Sequence, residues 1–166
     1  MKNIVNTIKP FNTRGSVIKV SGRSVVGNNH KVALSSKVYQ WTSGIGRLDV
    51  IRGRLPVESM MVLGKRMNLP IKSILSILDL PQTTYNKKKA EASYLESHKS
   101  ELVVMIIELL DFGDEVFNNE TDKFQRWLKK PNISLGGNSP ISFLDTITGI
   151  QEVKNCLNRI EFGNYA

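Results

Sequence analysis

Nine consecutive residues, Leu102 to Leu110, carry one charge, Glu108, and are otherwise apolar. Wound into a helix, such a stretch is apolar nearly all the way round, so it is stable in water only where neighbours cover it on more than one side. It falls far short of the roughly 18 to 20 residues that cross a bilayer, which argues against a membrane span. What remains is a central core helix, an interface between two copies, or both. In a chain of 166 residues, long enough for one ordinary domain or two very small ones, the same helix can serve both ends. The six-residue run Leu102–Ile107 is expected to exceed what one small helical half can cover, and so to drive dimerisation.

The segments on either side read as helices. Leu48, Ile51 and Leu55 fall on one face. Pro56 is placed to open the next helix, with Met60, Met61, Leu63, Gly64 and Met67 inward. Pro70 opens a third, whose Ile71, Ile74, Leu75 and Leu78 recur at helical spacing, and Asp79-Leu80 makes a tight connection to a fourth, from Pro81 to about Ala92. Ser93 to Ser100 is polar and reads as a connection or the start of the next helix. Beyond the central helix, Asn119 is expected to cap a helix carrying Phe124, Trp127 and Leu128. Leu135-Gly136-Gly137 marks a turn, and Ser139-Pro140 starts a short helix through Leu144. Thr148 and Gln151 read as the capping box of a last helix striped by Ile150, Val153, Leu157 and Ile160 and stopped by Gly163.

Residues 1–43 lack that periodicity. They are read as a loosely ordered basic arm, strand-like only over Ser16–Val26. The fold expected is therefore all-α, with the arm at 1–43, a helix-turn-helix and dimerisation region at 44–118 and a small helical domain at 119–166.

Charge divides the chain as sharply as periodicity. Residues 1–54 hold ten Lys and Arg against one acid, Asp49, whereas residues 93–126 hold three against eight, within a net charge of +8. A basic first half suits nucleic acid and an acidic middle suits something else; a solvated basic tail is the plainer alternative. The pair of short helices between Pro70 and Ala92 gives the first reading mechanical content. In a helix-turn-helix the second helix lies in the major groove with its N-terminal side chains toward base edges. Here Gln82 and Asn86 can pair with adenine, Thr83, Thr84 and Tyr85 offer hydroxyls, and Lys87, Lys88 and Lys89 can neutralise phosphates.

Enzyme chemistry finds little support. The chain has no Gly-x-Gly-x-x-Gly and no P-loop, and Gly136-Gly137 suits a turn better than a phosphate cradle. One cysteine and two separated histidines, His30 and His98, exclude an intrachain disulfide and a zinc cluster. Cys156 falls beside the apolar stripe of the last helix and reads as a buried structural thiol; His98 reads as exposed, and Asp111, Asp114 and Glu115 as a solvated helix end. Neither metal nor cofactor is expected. Met1–Phe11 lacks the apolar core of a secretory signal, so the cytoplasm is the expected setting.

Trp127-Leu128, Pro131-Asn132, Leu135-Gly136-Gly137, Ser139-Pro140, Leu144-Asp145-Thr146, Gly149, Val153, Leu157, Arg159-Ile160 and Gly163 together resemble the toxin-binding domain of the Xre/MbcA/ParS antitoxins. More loosely, Gly53, Leu55-Pro56, Asn68-Leu69 and the paired helices from Pro70 resemble the Xre-type DNA-binding half of the same proteins, so the resemblance covers roughly residues 45–166. It implies an all-helical homodimer without catalytic activity, which binds a RES-domain toxin that consumes NAD, covers the toxin's active-site entrance and binds its own promoter DNA. A stand-alone helix-turn-helix regulator whose last domain only dimerises is the alternative. The chain departs from the family at Pro81, where serine is frequent, at Lys87 and Lys88, where arginines are, and at Leu102 and Met105, again arginine positions. Lysine holds a phosphate but does not match the guanine edge as arginine does. With one face of the last helix held inward, Glu152, Asn155, Arg159 and the segment Phe162, Gly163, Asn164, Tyr165 and Ala166 are expected to form the toxin-binding surface.

Overall fold

The computed structural model describes residues 29–163, together with the backbone of two short strands, β1 (Lys19–Val20) and β2 (Arg23–Ser24). These pair antiparallel, Lys19 opposite Ser24, within the stretch that alternates in sequence.

Residues 30–41 depart from the reading of 1–43 as a loose arm. They form an antiparallel hairpin, β3 (His30–Ala33) and β4 (Val38–Trp41), with His30 opposite Trp41 and Val32 opposite Tyr39. Side chains alternate across a strand, so these four share one face, and Val32 and Trp41 are buried in the core. The all-α expectation thus holds for the body of the protein and fails for this sheet.

Among the described residues, seven α-helices follow. α1 (Gly44–Gly53) starts at Ser43, whose hydroxyl accepts from the Gly46 amide at 3.1 Å. Ile51 and Leu55 face inward, but Leu48 does not. α2 (Ser59–Met67) begins three residues beyond Pro56, because the chain there pairs with the segment after the fourth helix: Pro56 opposes Tyr94, and Leu55 accepts from the Leu95 amide at 2.8 Å. Met61 points outward, not inward as its neighbours suggested. The Leu69 amide reaches back to the Gly64 carbonyl at 2.9 Å, so close that a Cβ on Gly64 would stand 3.1 Å from the Leu69 oxygen. α3 (Ile71–Ile77) and α4 (Gln82–Ala90) come next.

α5 (Ser97–Val116) is the axis, 20 residues or about 30 Å long at the usual rise. Val103, Val104, Ile106, Ile107, Leu109 and Leu110 are all at most 1% exposed, packed beneath α1, α2, β3 and the last helix of the same chain. Of the six-residue run Leu102–Ile107 expected to call for a second copy, four residues are thus covered within the chain. Among its apolar members only Leu102 and Met105 stay half-buried.

α6 (Thr121–Lys129) packs its Phe124 on Gly113 of α5, where a Cβ would run into the ring. Asn119 does not cap α6; it adopts the left-handed conformation, φ 63°, in the turn before it. Two single 3₁₀ turns, Ile133–Leu135 and Pro140–Phe143, lead to α7 (Ile147–Glu161). Its cap is Thr146 rather than Thr148: the Thr146 hydroxyl accepts from the Gly149 amide at 3.1 Å. Gly149 lies against the Phe143 carbonyl, with no room for a side chain, and that approach places the helix start. Ile150, Val153, Cys156 and Leu157 line the buried face. Among the described residues, no helix is long and apolar enough to cross a membrane.

Candidate functional site

α3 and α4 follow one another as two short helices joined by the turn Leu78–Pro81. Asp79 makes the turn tight by entering the left-handed region, φ 44°, and the Leu80 amide closes on the Leu75 carbonyl at 2.9 Å. From α5, Lys99 donates through Nζ to the carbonyl oxygens of Leu78 at 2.7 Å and Asp79 at 2.9 Å. A cation there satisfies carbonyls that the end of α3 leaves without partners. The same device recurs nearby. Lys88 of α4 donates to the Tyr94 carbonyl at 3.1 Å, while Gln125 and Lys129 of α6 reach the carbonyls of Arg66 and Asn68 at the end of α2, at 2.7 and 2.9 Å.

Of the residues expected to meet DNA, Gln82, Thr83, Asn86, Lys87 and Lys89 are exposed and Thr84 and Lys88 half-buried. Tyr85 is 5% exposed, so it anchors α4 in the core instead of projecting from it. Gln82 and Asn86 bond to each other at 3.0 Å, one turn apart. Lys88 is held by Tyr94, and Lys89 lies 6.0 Å from the Tyr85 ring centroid. α4 carries no carboxylate and three lysines in its last turn.

A second surface follows the outer side of α7. Glu152 is exposed and Asn155 half-buried; Asn155 is bonded to Gln151 at 3.1 Å and Glu152 at 3.5 Å. Arg159 does not project freely. Its Nη2 donates to the Cys156 sulfur at 2.9 Å, folding the guanidinium onto its own helix. Burial pushes the Cys156 thiol above its ordinary range, and Arg159 offsets part of that. Phe162 is 72% exposed just past the helix, and Gly163, φ 68°, turns the chain. Asn164, Tyr165 and Ala166 lie outside the described residues.

The acids of α5 are better engaged than a solvated helix end. Arg66 pairs with Asp111 at 2.7 Å and with Asp114 at 3.2 Å, and His30 Nδ1 meets the other Asp111 oxygen at 2.6 Å. A turn earlier, Glu108 accepts from Trp41 Nε1 at 2.8 Å and Arg47 at 3.2 Å. The bonds of His30 and Trp41 fasten the hairpin to α5, and those of Arg47 and Arg66 tie α1 and α2 to it. They escaped the sequence because the partners lie 45 to 81 residues apart. Among the described residues no group of His, Cys, Asp and Glu is arranged to hold a metal ion.

The segment that carries the second surface is similar to known proteins. Residues 112–163, which run from the end of α5 through α7 to Gly163, match the family model of the antitoxin Xre/MbcA/ParS C-terminal toxin-binding domain. An antitoxin Xre from Photorhabdus laumondii is 30% identical over 90 residues, covering 54% of this chain and 61% of that protein. A Prs ADP-ribosylating antitoxin from Sphingobium is 29% identical over 132 residues, 75% of this chain and 83% of that protein. An antitoxin Xre from Yersinia enterocolitica is 25% identical over 119 residues, 72% and 80% of the two chains. The match thus spans about three fifths of the Photorhabdus protein and four fifths of the other two. The chain is similar to the Xre-type antitoxins, and over residues 112–163 to the model of their C-terminal toxin-binding domain.

Proposed function

We propose that this protein is the antitoxin of a type II toxin–antitoxin pair, a non-catalytic cytoplasmic inhibitor that needs no cofactor. It binds a RES-domain toxin that consumes NAD, covers the toxin's active-site entrance with the outer side of α7 and the tail, and represses its own promoter through α4. The observation that carries the reading is the match of 112–163 to a toxin-binding domain whose end, at Phe162, is exposed. An aromatic side chain outside the core suits an anchor in a partner's cleft. One relative's name joins antitoxin to ADP-ribosylation, a chemistry that draws on NAD. For the first half, support comes from the unopposed cations of α4 and the exposure of Gln82, Thr83 and Asn86.

A second copy completes the reading, since a helix-turn-helix ordinarily spans a two-fold site as a dimer. With the middle of α5 covered within the chain, the apolar side chains available to it include Ile45 and Leu48 of α1, both exposed, and the half-buried Leu102 and Met105.

Co-expression with the product of the adjacent open reading frame tests the proposal. Rescue of growth and co-purification are expected, and deletion of Glu161–Ala166 together with Arg159→Ala should abolish rescue while helical content and promoter affinity persist. Full rescue by that variant would move the inhibitory surface to Trp127–Asp145. If the neighbouring product is neither toxic nor bound, the stand-alone regulator is the better reading.

A further inference from the structure

A groove of about 800 Å³ lies between the β3–β4 turn and α2, within the size range of small-molecule sites. Lys37 and Tyr39 stand on the hairpin wall, Met61, Val62 and Lys65 on α2, and Tyr94, four residues after the end of α4, closes the third side. Met61 and Tyr94 are each about half exposed, so two large side chains that could have joined the core line a cleft instead.

The polar groups are as selective as the apolar ones. Lys37 and Lys65 face the groove from opposite elements against one carboxylate, Glu58. Among the described residues neither lysine forms an ion pair, while Arg47, Arg66 and Lys123 do. Lys37 Nζ lies 4.7 Å from the Tyr39 ring centroid, a cation already seated against an aromatic face. Burial, then Tyr94 and Glu58, raise the Tyr39 phenol above its ordinary range. Tyr39, Tyr94 and Met61 in the lining suit a flat apolar body, and the two lysines suit a negative end.

We propose that this groove is a binding site for a small aromatic anion, a flat ring system bearing a carboxylate, and that occupancy is felt by α4. The link is short. The Tyr94 carbonyl holds Lys88 of α4, and the intervening chain turns sharply at Ala92, φ 47°, whose side also lines the groove. A ligand that shifts Tyr94 shifts an anchor of the helix. The site stands whether or not α4 reads DNA; only the use made of the coupling rests on that reading.

The test is a titration of the isotope-labelled full chain with 2-naphthoate, followed by amide resonances, with 2-naphthylmethanol as the uncharged control. Saturable shifts are expected at Tyr39, Met61, Val62 and Tyr94, continuing to Lys88–Ala90, with the alcohol binding about tenfold more weakly or worse. That ratio corresponds to about 1.4 kcal/mol. Tyr94→Ala and the double variant Lys37→Ala/Lys65→Ala should each weaken 2-naphthoate by about tenfold or more, and Lys72→Ala, on α3 outside the groove, should not. If Tyr94→Ala disturbs resonances throughout the chain, the lysine variant decides alone. Absence of saturable shifts, equal binding of the alcohol, or unchanged binding by the lysine variant would overturn the site. Saturation without any shift in Lys88–Ala90 would overturn the coupling.

Discussion

Lys99 shows how much one side chain can settle. Its ammonium bonds two carbonyls at the turn between α3 and α4. Lys99→Met should therefore cost about 1 kcal/mol in urea unfolding and, on the proposed reading of α4 as a DNA-binding helix, weaken promoter binding without changing its salt dependence. Lys87→Ala, by contrast, should lower the slope of log affinity against log salt by about one unit if Lys87 meets a phosphate. Binding measured at several salt concentrations separates the two roles; a lowered slope for Lys99→Met would make it a phosphate contact instead. At Cys156 the direction of the pKa shift sets a second expectation. The fold holds the thiol proton more tightly than the unfolded chain does. The stabilisation is therefore present below the unfolded thiol's range and is lost as pH rises through the folded one. The thiol should resist alkylation at neutral pH and react only after unfolding, as followed by mass spectrometry; rapid alkylation of the folded chain would contradict its burial.

At the scale of elements, what was legible depended on length. α2, α3, α5 and α7 announce themselves because an apolar stripe repeats over two turns or more, and the tight turn at Asp79-Leu80 follows from how little chain separates two stripes. The hairpin does not. Each strand contributes only two inward residues, His30 and Val32 against Tyr39 and Trp41, too few for alternation to stand out, and its fastening to Glu108 and Asp111 is long-range. The helix starts at Ser59 and Thr146 are set by where Pro56 and Gly149 meet backbone outside their helices, at Tyr94 and Phe143, and a cap motif alone does not encode that. On the candidate surfaces, the outward members of α4 were readable from spacing, but the inward turn of Tyr85 and the folding of Arg159 onto Cys156 were not. The weight of the hairpin's fastening can be measured. Trp41→Phe keeps most of the buried area and loses the bond to Glu108, for an expected cost of about 1 kcal/mol. Trp41→Ala loses both and should cost about 3 to 5 kcal/mol in denaturant unfolding. Equal costs would mean that the bond, not the packing, holds the strand pair in place.

The molecule as a whole shares one core. Its buried apolar residues form a cluster from Val32 of the hairpin to Leu157 of α7, with α5 between them. A boundary near residue 119 therefore marks a change of surface more than a break in packing, and the described chain should unfold in one cooperative step. The two tryptophans report on opposite parts of it, Trp41 on the hairpin and Trp127 on α6. Trp41→Phe and Trp127→Phe variants, each leaving one reporter, should give coincident fluorescence transitions, and Phe124→Ala should move both to lower denaturant. Two separate midpoints would restore two independent halves.

Lys88, Lys99, Gln125 and Lys129 have in common that each grips a main-chain oxygen rather than a side chain. A carbonyl is present whatever residue carries it, so these grips are indifferent to the identities at 66, 68, 78, 79 and 94, provided that the backbone keeps its course. The exposed positions of α4 are in turn excused from holding it in place, a duty that falls to Tyr85 and Lys88. Gln82, Thr83, Asn86 and Lys87 can therefore be exchanged as a set while the helix keeps its seat; on the proposed reading of α4 as a DNA-binding helix, this face is a natural starting point for engineering new operator preferences on an unaltered frame.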